Sequence, residues 1–364
     1  MSSLSVCMIV KNEEDVLSRC LECLKEIADE IIIVDTGSTD KTKEIASRYT
    51  SKIFDFNWCD DFSKARNFSF SKATKDYIMW LDADDVILKE DIEKLIELKK
   101  KLHNNSSIDM VMLKYNILDK TSDRIVLSYY RERIFKREKN YIWISPIHEV
   151  IVPSGNYIFE DIAITHKKIK DSNPMRNISI FRKMIENNVK LDARQKFYYA
   201  RELYYIKDYT NALKTYEDFL NDKDAWIENI ISACIDISKI HCILNNNDKI
   251  LKYLYKTFEY DIPRAEVCCE IGNYFLQKEK YEIAIYWFKQ ALSKRKNLSS
   301  GGFFLDDCYN FIPHINLCVC YDKLKDYKKA NLYNELANKD NPDNNFYTHN
   351  KAYFDNIFNN AHSK

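Results

Sequence analysis

Three short apolar runs, Leu4–Val10, Glu30–Val34 and Tyr77–Leu81, are separated by stretches whose apolar residues recur at helical spacing. Few folds accommodate that alternation. Between the first two runs, Val16, Leu17, Cys20, Leu21 and Leu24 mark one face of a helix within residues 12–26. A brief strand at Lys52–Phe54 and a helix over residues 61–73 follow, and Ser38 and Thr39 are candidate N-caps for a helix around residues 40–48. Strands alternating with helices predict a parallel sheet covered by helices on both faces. From about residue 108 to 166 the pattern turns to strands, including Met110–Tyr115, Arg124–Tyr129 and Tyr157–Thr165. These suit the second half of an α/β domain with antiparallel additions.

In such sheets, ligands bind beyond the carboxyl ends of the strands. Three of those ends carry polar clusters: Lys11-Asn12-Glu13, Asp35-Thr36-Gly37-Ser38 and Asp82-Ala83-Asp84-Asp85. The topology predicts that all three converge on one crevice. Carboxylates are costly to bury unless paired, hydrogen-bonded or bound to a metal, so three of them closing the apolar run YIMWL need a reason. If the crevice takes a nucleotide diphosphate, a divalent cation removes the repulsion between the acids and the phosphates. Carboxylate and phosphate oxygens form a hard site suited to Mg2+ or Mn2+.

Beyond about residue 175 the chain reads as wholly helical and repeats itself. Ile271, Gly272, Phe275, Ala284, Phe288 and Ala291 have the spacing of a tetratricopeptide repeat. The same frame passes through Tyr199, Ala200, Leu203, Ala212 and Tyr216, and again through Leu317, Cys318, Tyr321, Ala330, Ala337 and Pro342. A weaker copy runs through Ile237, Ser238, Ile250 and Leu254, and the segment KNLSSGGFF lengthens the gap before the last repeat. On this frame Tyr198, Glu202 and Asn273 are expected on an open face, offered by the first helices of the repeats.

The bulk numbers exclude some classes. Lys+Arg and Asp+Glu both total 55 among 364 residues, so no basic excess points to nucleic acid or an anionic membrane. The 11 cysteines form no pattern at zinc-ribbon spacing and read as reduced core thiols, which fits a cytoplasmic protein. The N-terminus starts directly on a strand with no signal-peptide pattern, and no apolar run approaches the roughly 18 residues of a membrane span.

The segments SVCMIVKNEE, IIIVDTGSTDKT, DDFSKARNFSFSKATKDYIMWLDADD and ISPIHE, in this order and at these intervals, resemble family 2 glycosyltransferases of the GT-A fold. The similarity is greatest to a subgroup that joins this catalytic domain to tetratricopeptide repeats and includes bacterial enzymes that glycosylate peptides or act on surface glycans. The resemblance implies a Rossmann-like GT-A domain over residues 1–172, a helical linker over 173–190 and a tetratricopeptide-repeat-like domain over 191–364. It implies an inverting, metal-dependent transfer from a nucleotide-diphosphate sugar, with uracil as the expected base, to a peptide or protein side chain bound by the repeats. By the same resemblance Val10, Lys11 and Glu13 flank the nucleoside and Asp35 binds the base. Arg66 lies near the nucleotide, Asn67 braces the turn, and Asp82 meets ribose or metal. Asp84 is a metal ligand, and His166 matches a histidine able to supply a nitrogen ligand. Asp85 serves either that site or as a cap for the following helix. Glu149 takes the place of the catalytic base, with the departure that His148-Glu149 stands where many members carry Glu-Asp. His148 positions the base or the acceptor, or the two form a structural pair at a strand end. Arg133 counters the diphosphate or belongs to a solvated basic edge with Lys136 and Arg137. Trp143 stacks on a sugar or fills the core.

Three rival readings remain at this level: transfer to a cell-surface or lipid-linked glycan, an inactive transferase-like scaffold, and a nucleotidyltransferase. The intact Asp-x-Asp opposes the second, and the absence of glycine from LSVCMIVKNEE opposes the third.

Overall fold

The computed structural model describes residues 1–119, 123–169, 173–297, 300–342 and 344–362. The chain forms two compact units, Met1–Ile206 and Lys207–Lys364. The first is built on a mixed sheet of strands β1 (Leu4–Val10), β2 (Glu30–Asp35), β3 (Ile53–Asp55), β4 (Tyr77–Trp80), β5 (Asp85–Val86), β6 (Met110–Leu118), β7 (Ile125–Lys136) and β8 (Tyr157–His166). Their order is β3-β2-β1-β4-β7-β6-β8-β5. β1 pairs in parallel with β2 and β4, and β2 with β3. β7 runs antiparallel to both β4 and β6, supplying the expected antiparallel additions.

Both faces of the sheet are covered, which is why the central strands are apolar at nearly every position. Leu4, Val6, Met8 and Val10 of β1 point to one face, where they meet helices α1 (Leu17–Cys23) and α4 (Lys89–Asn104). Cys7 points to the other face with Ile32, Val34, Ile78 and Trp80, and Phe70 of helix α3 (Phe62–Ser71) packs there. Helix α2 (Thr42–Ser47) begins without a side-chain cap. Ser38 and Thr39, expected to cap it, are engaged elsewhere, as described below.

At the opposite end of the sheet from the polar clusters, Glu30 is buried. It accepts hydrogen bonds from Ser5 Oγ and from Thr74 N and Oγ1, and pairs with Lys52. Burial alone would raise its carboxyl, but Lys52, Ser5 and Thr74 outweigh it and hold the group at about 2 against an ordinary 4.5. A depressed carboxylate stabilises the fold above its unfolded value and loses that contribution as pH falls through the folded one. Glu30→Gln is therefore expected to cost about 2 kcal/mol at pH 7, the full shift being discounted for the exposed Lys52 partner. The gap between variant and wild type should close between pH 4.5 and about 2. Urea midpoints at pH 7 and pH 3 check this; an equal gap at both would remove Glu30 as the titrating group.

Two more helices belong to the first unit, α5 (Pro174–Glu186) and α6 (Ala193–Tyr205). Asn173 caps α5 with proline in its first turn, and Asp192 and Gln195 form a reciprocal capping box on α6. The expected catalytic-domain boundary at residue 172 lies outside the described residues. The observed division falls between residues 206 and 207.

The second unit runs through helices α7 (Tyr209–Leu220), α8 (Ile227–Ile243), α9 (Asn247–Lys256), α10 (Ala265–Gln277), α11 (Tyr281–Leu292), α12 (Phe311–Lys323), α13 (Tyr327–Asp340) and α14 (Asn345–His362). The pairs α8/α9, α10/α11 and α12/α13 are hairpins in the repeat frame. Ala284 and Ala330 are fully buried where two helices touch. Gly272 marks the closest approach, since a Cβ there would lie 2.7 Å from the Phe288 ring. Each hairpin turns through one left-handed residue, Asn245, Glu279 or Lys325. Among the described residues no helix is long and apolar enough to cross a membrane.

Candidate active site

The carboxyl ends of β2, β1 and β4 lie side by side in the sheet, so their three loops share one edge. The first two loops are laced together by their polar residues. Asn12 takes a left-handed backbone, φ 56°, which asparagine tolerates well. Its N–H donates to Ser38 Oγ (2.9 Å) and its Oδ1 accepts from Thr39 N (2.8 Å). Glu13 N donates to Thr42 Oγ1 (2.7 Å), Glu14 N to Asp40 Oδ2 (3.2 Å), and Lys41 N to Glu14 Oε2 (3.1 Å). The KNEE and DTGSTDKT segments thus fix one another, and this is where Ser38 and Thr39 are spent.

Asp35 closes β2 almost completely buried. Its Oδ1 accepts from Gly37 N and Ser38 N, both at 2.9 Å, while Oδ2 has no hydrogen-bond partner among the described residues. A buried carboxylate oxygen without a donor is costly, and a ligand N–H would satisfy it. Beside it the Val10 side chain belongs to the core, and its carbonyl accepts from Thr36 N and Oγ1, whereas Lys11 is exposed.

The acidic loop is organised by β5, a two-residue strand pairing antiparallel with the end of β8 so that Asp85 stands opposite His166. Asp85 is completely buried. Its Oδ1 accepts from Tyr115 OH (2.9 Å) and faces His166 Nδ1 (3.3 Å), and its Oδ2 accepts from Asp82 N (3.1 Å) and Arg133 Nη1 (3.3 Å). Asp85 therefore does not cap α4, whose N-cap position is Leu88. Arg133 lies behind the loop, wholly buried between the Trp80 and Tyr115 rings, 3.7 and 4.6 Å from their centroids. It is not part of a solvated edge with Lys136 and Arg137. It reaches the site through Asp85 and through the Trp80 carbonyl (3.2 Å).

Asp84, Asp85 and His166 each offer a ligand atom within 4.8 Å of the others. The chemistry of this set, carboxylate oxygens with an imidazole nitrogen, fits a divalent metal cation. Asp85 already meets four donors, so the available pair is Asp84 and His166, their atoms 3.3 Å apart, with Asp82 adjoining. Burial alone would lower His166, but its hydrogen bonds to Asp84 and Asp85 push it up to about 10.

Asp82 and Glu149 are joined by Arg66. Asp61 caps α3, and one helical turn further on Arg66 enters the sheet face between the Trp80 and Trp143 rings, 4.6 and 5.0 Å from their centroids. Its Nε donates to Glu149 Oε1 (2.6 Å) and its Nη2 to Asp82 Oδ1 (2.9 Å). Burial works to raise the Asp82 carboxyl, but Arg66 and Arg133 hold it below the usual range. Trp143 is a core residue, edge-on to Trp80 at 5.1 Å. Asn67 braces it by exchanging two 2.9 Å hydrogen bonds with the Trp143 backbone.

His148 turns away from these groups. Its ring stacks on Tyr198 of α6, centroids 4.1 Å apart, and its Nε2 lies 2.8 Å from Glu202 Oε1. Tyr198 and Glu202, expected on an open repeat face, are buried here. The sequence reading put Glu202 on an open face and not beside His148, and it missed Tyr115 and the structural part of Asp85.

Residues 5–162, which lie within the first unit, match the family model described as Glycosyl transferase family 2. A TPR repeat-containing protein of Synechococcus elongatus is 35% identical over 42% of this chain and 36% of its own length. The SPbeta prophage-derived glycosyltransferase SunS of Bacillus subtilis is 25% identical over 71% of this chain and 63% of its own. An uncharacterized glycosyltransferase of Rickettsia felis is 30% identical over 34% of this chain and 43% of its own. The chain thus spans 36%, 63% and 43% of the lengths of these relatives.

Proposed function

We propose that the family 2 domain transfers a sugar, with inversion, from a uridine-diphosphate donor to a peptide or protein side chain. The observation that carries the donor half is Asp35, a buried carboxylate with one oxygen lacking a donor, at the edge shared with Asp82 and Asp84. Asp35 Oδ2 would accept from the base, which offers an N–H where uracil does. Asp82, Asp84 and His166 would hold Mn2+ or Mg2+, which when bound neutralises charge growing on the departing diphosphate. Glu149 would remove the acceptor's proton as its nucleophile displaces the diphosphate from the anomeric carbon. Arg66 occupies Glu149 Oε1 and orients the carboxylate, and Oε2 takes no hydrogen bond among the described residues. The helical hairpins of the second unit support a peptide over a glycan acceptor, since stacked helical repeats present extended surfaces for chains. The free cysteines, Cys59 alone among them exposed, suit a cytosolic setting.

Calorimetric titration with UDP and Mn2+ tests the donor reading. Asp35→Ala should weaken UDP by about 1.5–3 kcal/mol, the scale for removing one side of a buried hydrogen bond, and leave Mn2+ binding unchanged. Equal UDP affinities in wild type and variant would place Asp35 outside the donor pocket.

A further inference from the structure

Four residues on one face of α6, Arg194, Gln195, Tyr198 and Glu202, all meet the loop before Glu149. Arg194 donates from Nε and Nη2 to the His148 carbonyl (3.4 and 3.3 Å), and Gln195 Nε2 donates to Ser145 Oγ (3.4 Å). Tyr198 stacks on the His148 ring, and Glu202 Oε1 receives both His148 Nε2 and Asn177 Nδ2 of α5 (2.9 Å). Packing alone does not ask for an acid at this buried position, where an apolar residue would fill the volume without desolvating a charge. The loop it holds is backbone-strained: Ser145 and His148 have φ of 73° and 51°, a left-handed region that persists only where surroundings over-determine it. The next residue is Glu149, whose side chain goes the other way, to Arg66 of α3. The short segment is thus clamped from two sides, by α6 through His148 and by α3 through Glu149.

We propose that Glu202 is a positioning residue for Glu149: by fixing His148 in its left-handed conformation, it sets the direction in which the neighbouring carboxylate is presented. The first helices after the α/β domain then serve the reaction centre. The proposal rests on the reading of Glu149 as the group that takes the acceptor's proton.

Full-length Glu202→Ala, Glu202→Gln, His148→Asn and Glu149→Gln separate the possibilities. The readouts are UDP affinity with Mn2+, hydrolysis of whichever UDP-hexose the wild type turns over fastest, and hydrogen exchange at the amides of Ile144 and Val150, which bridge the loop. Glu202→Ala should exchange those amides at least tenfold faster and lose at least tenfold in kcat, with UDP affinity within twofold of wild type. Glu202→Gln keeps an acceptor oxygen and should recover most of both. His148→Asn tolerates the left-handed backbone but loses the ring, and should behave like Glu202→Ala even if the alanine variant folds poorly. Wild-type exchange in Glu202→Ala, or wild-type kcat alongside an inactive Glu149→Gln, would overturn the proposal. An active Glu149→Gln would instead overturn the reading of Glu149 as base, while the exchange rates still decide whether Glu202 holds the loop.

Discussion

Asp84→Asn is expected to fold as the wild type does and to lose at least ~100-fold in transfer, about 2.7 kcal/mol of transition-state stabilisation. The expectation comes from the contrast between adjacent acids. Asp85 is completely buried and held by Tyr115, Arg133, His166 and the Asp82 amide. Asp84 is one-fifth exposed, and its side chain meets only His166 among the described residues. Asp85→Asn should therefore appear first as lost stability, because it leaves Arg133 buried without its carboxylate. Asp84→Asn would remove a proposed metal ligand while keeping an oxygen that can accept from His166. Thermal melts of the two variants beside turnover with Mn2+ would show the division. Full turnover by the wild type in excess chelator would end the metal reading whatever the variants do.

What the sequence made legible is what local periodicity and strand topology encode. The apolar runs became β1, β2 and β4, because a strand covered on both faces needs apolar residues throughout. The repeat frame was readable because Ala284, Ala330 and Gly272 occupy positions where two helices leave no room for more. The reading failed where long-range pairs decide the outcome. Strand β7 extends to Lys136, well past the expected Tyr129. Its charged stretch Arg131-Glu132-Arg133 looks like surface until Trp80 and Tyr115 are brought against the guanidinium of Arg133. The helix expected over residues 12–26 is observed only from Leu17 to Cys23, since Asn12 and Glu13 are bound to the neighbouring loop. Strand β5 has two residues and no periodicity to detect, yet it sets Asp85 opposite His166. Tyr198 and Glu202 have ordinary helix-surface spacing, and their partner His148 lies about fifty residues upstream. Strand ends located the acids; only tertiary contacts show which of them are committed to structure.

Arg66→Leu is expected to destabilise the protein by about 3 kcal/mol, the lower end of the range for breaking a buried ion pair from one side. Leucine would fill much of the space between Trp80 and Trp143. It would leave Glu149, 12% exposed, and Asp82, 34% exposed, without the guanidinium that bridges them. The exposure of Asp82 is why the lower end applies, since water screens part of its cost. Arg66→Lys should fall between, because an ammonium lacks the fork that reaches both carboxylates at once. If the loss reflects uncompensated charge, removing one of the charges should restore part of it. The double variant Arg66→Leu/Glu149→Gln should then melt above Arg66→Leu, a positive coupling that independent packing defects would not produce. Mn2+ should also raise the melting temperature of Arg66→Leu by more than that of wild type, because a cation bound by Asp82 takes over part of the guanidinium's role and stabilises the native state by mass action. A melting temperature for Arg66→Leu equal to wild type would mean that the two acids do not depend on Arg66, and orientation of Glu149 by this residue would have to be abandoned.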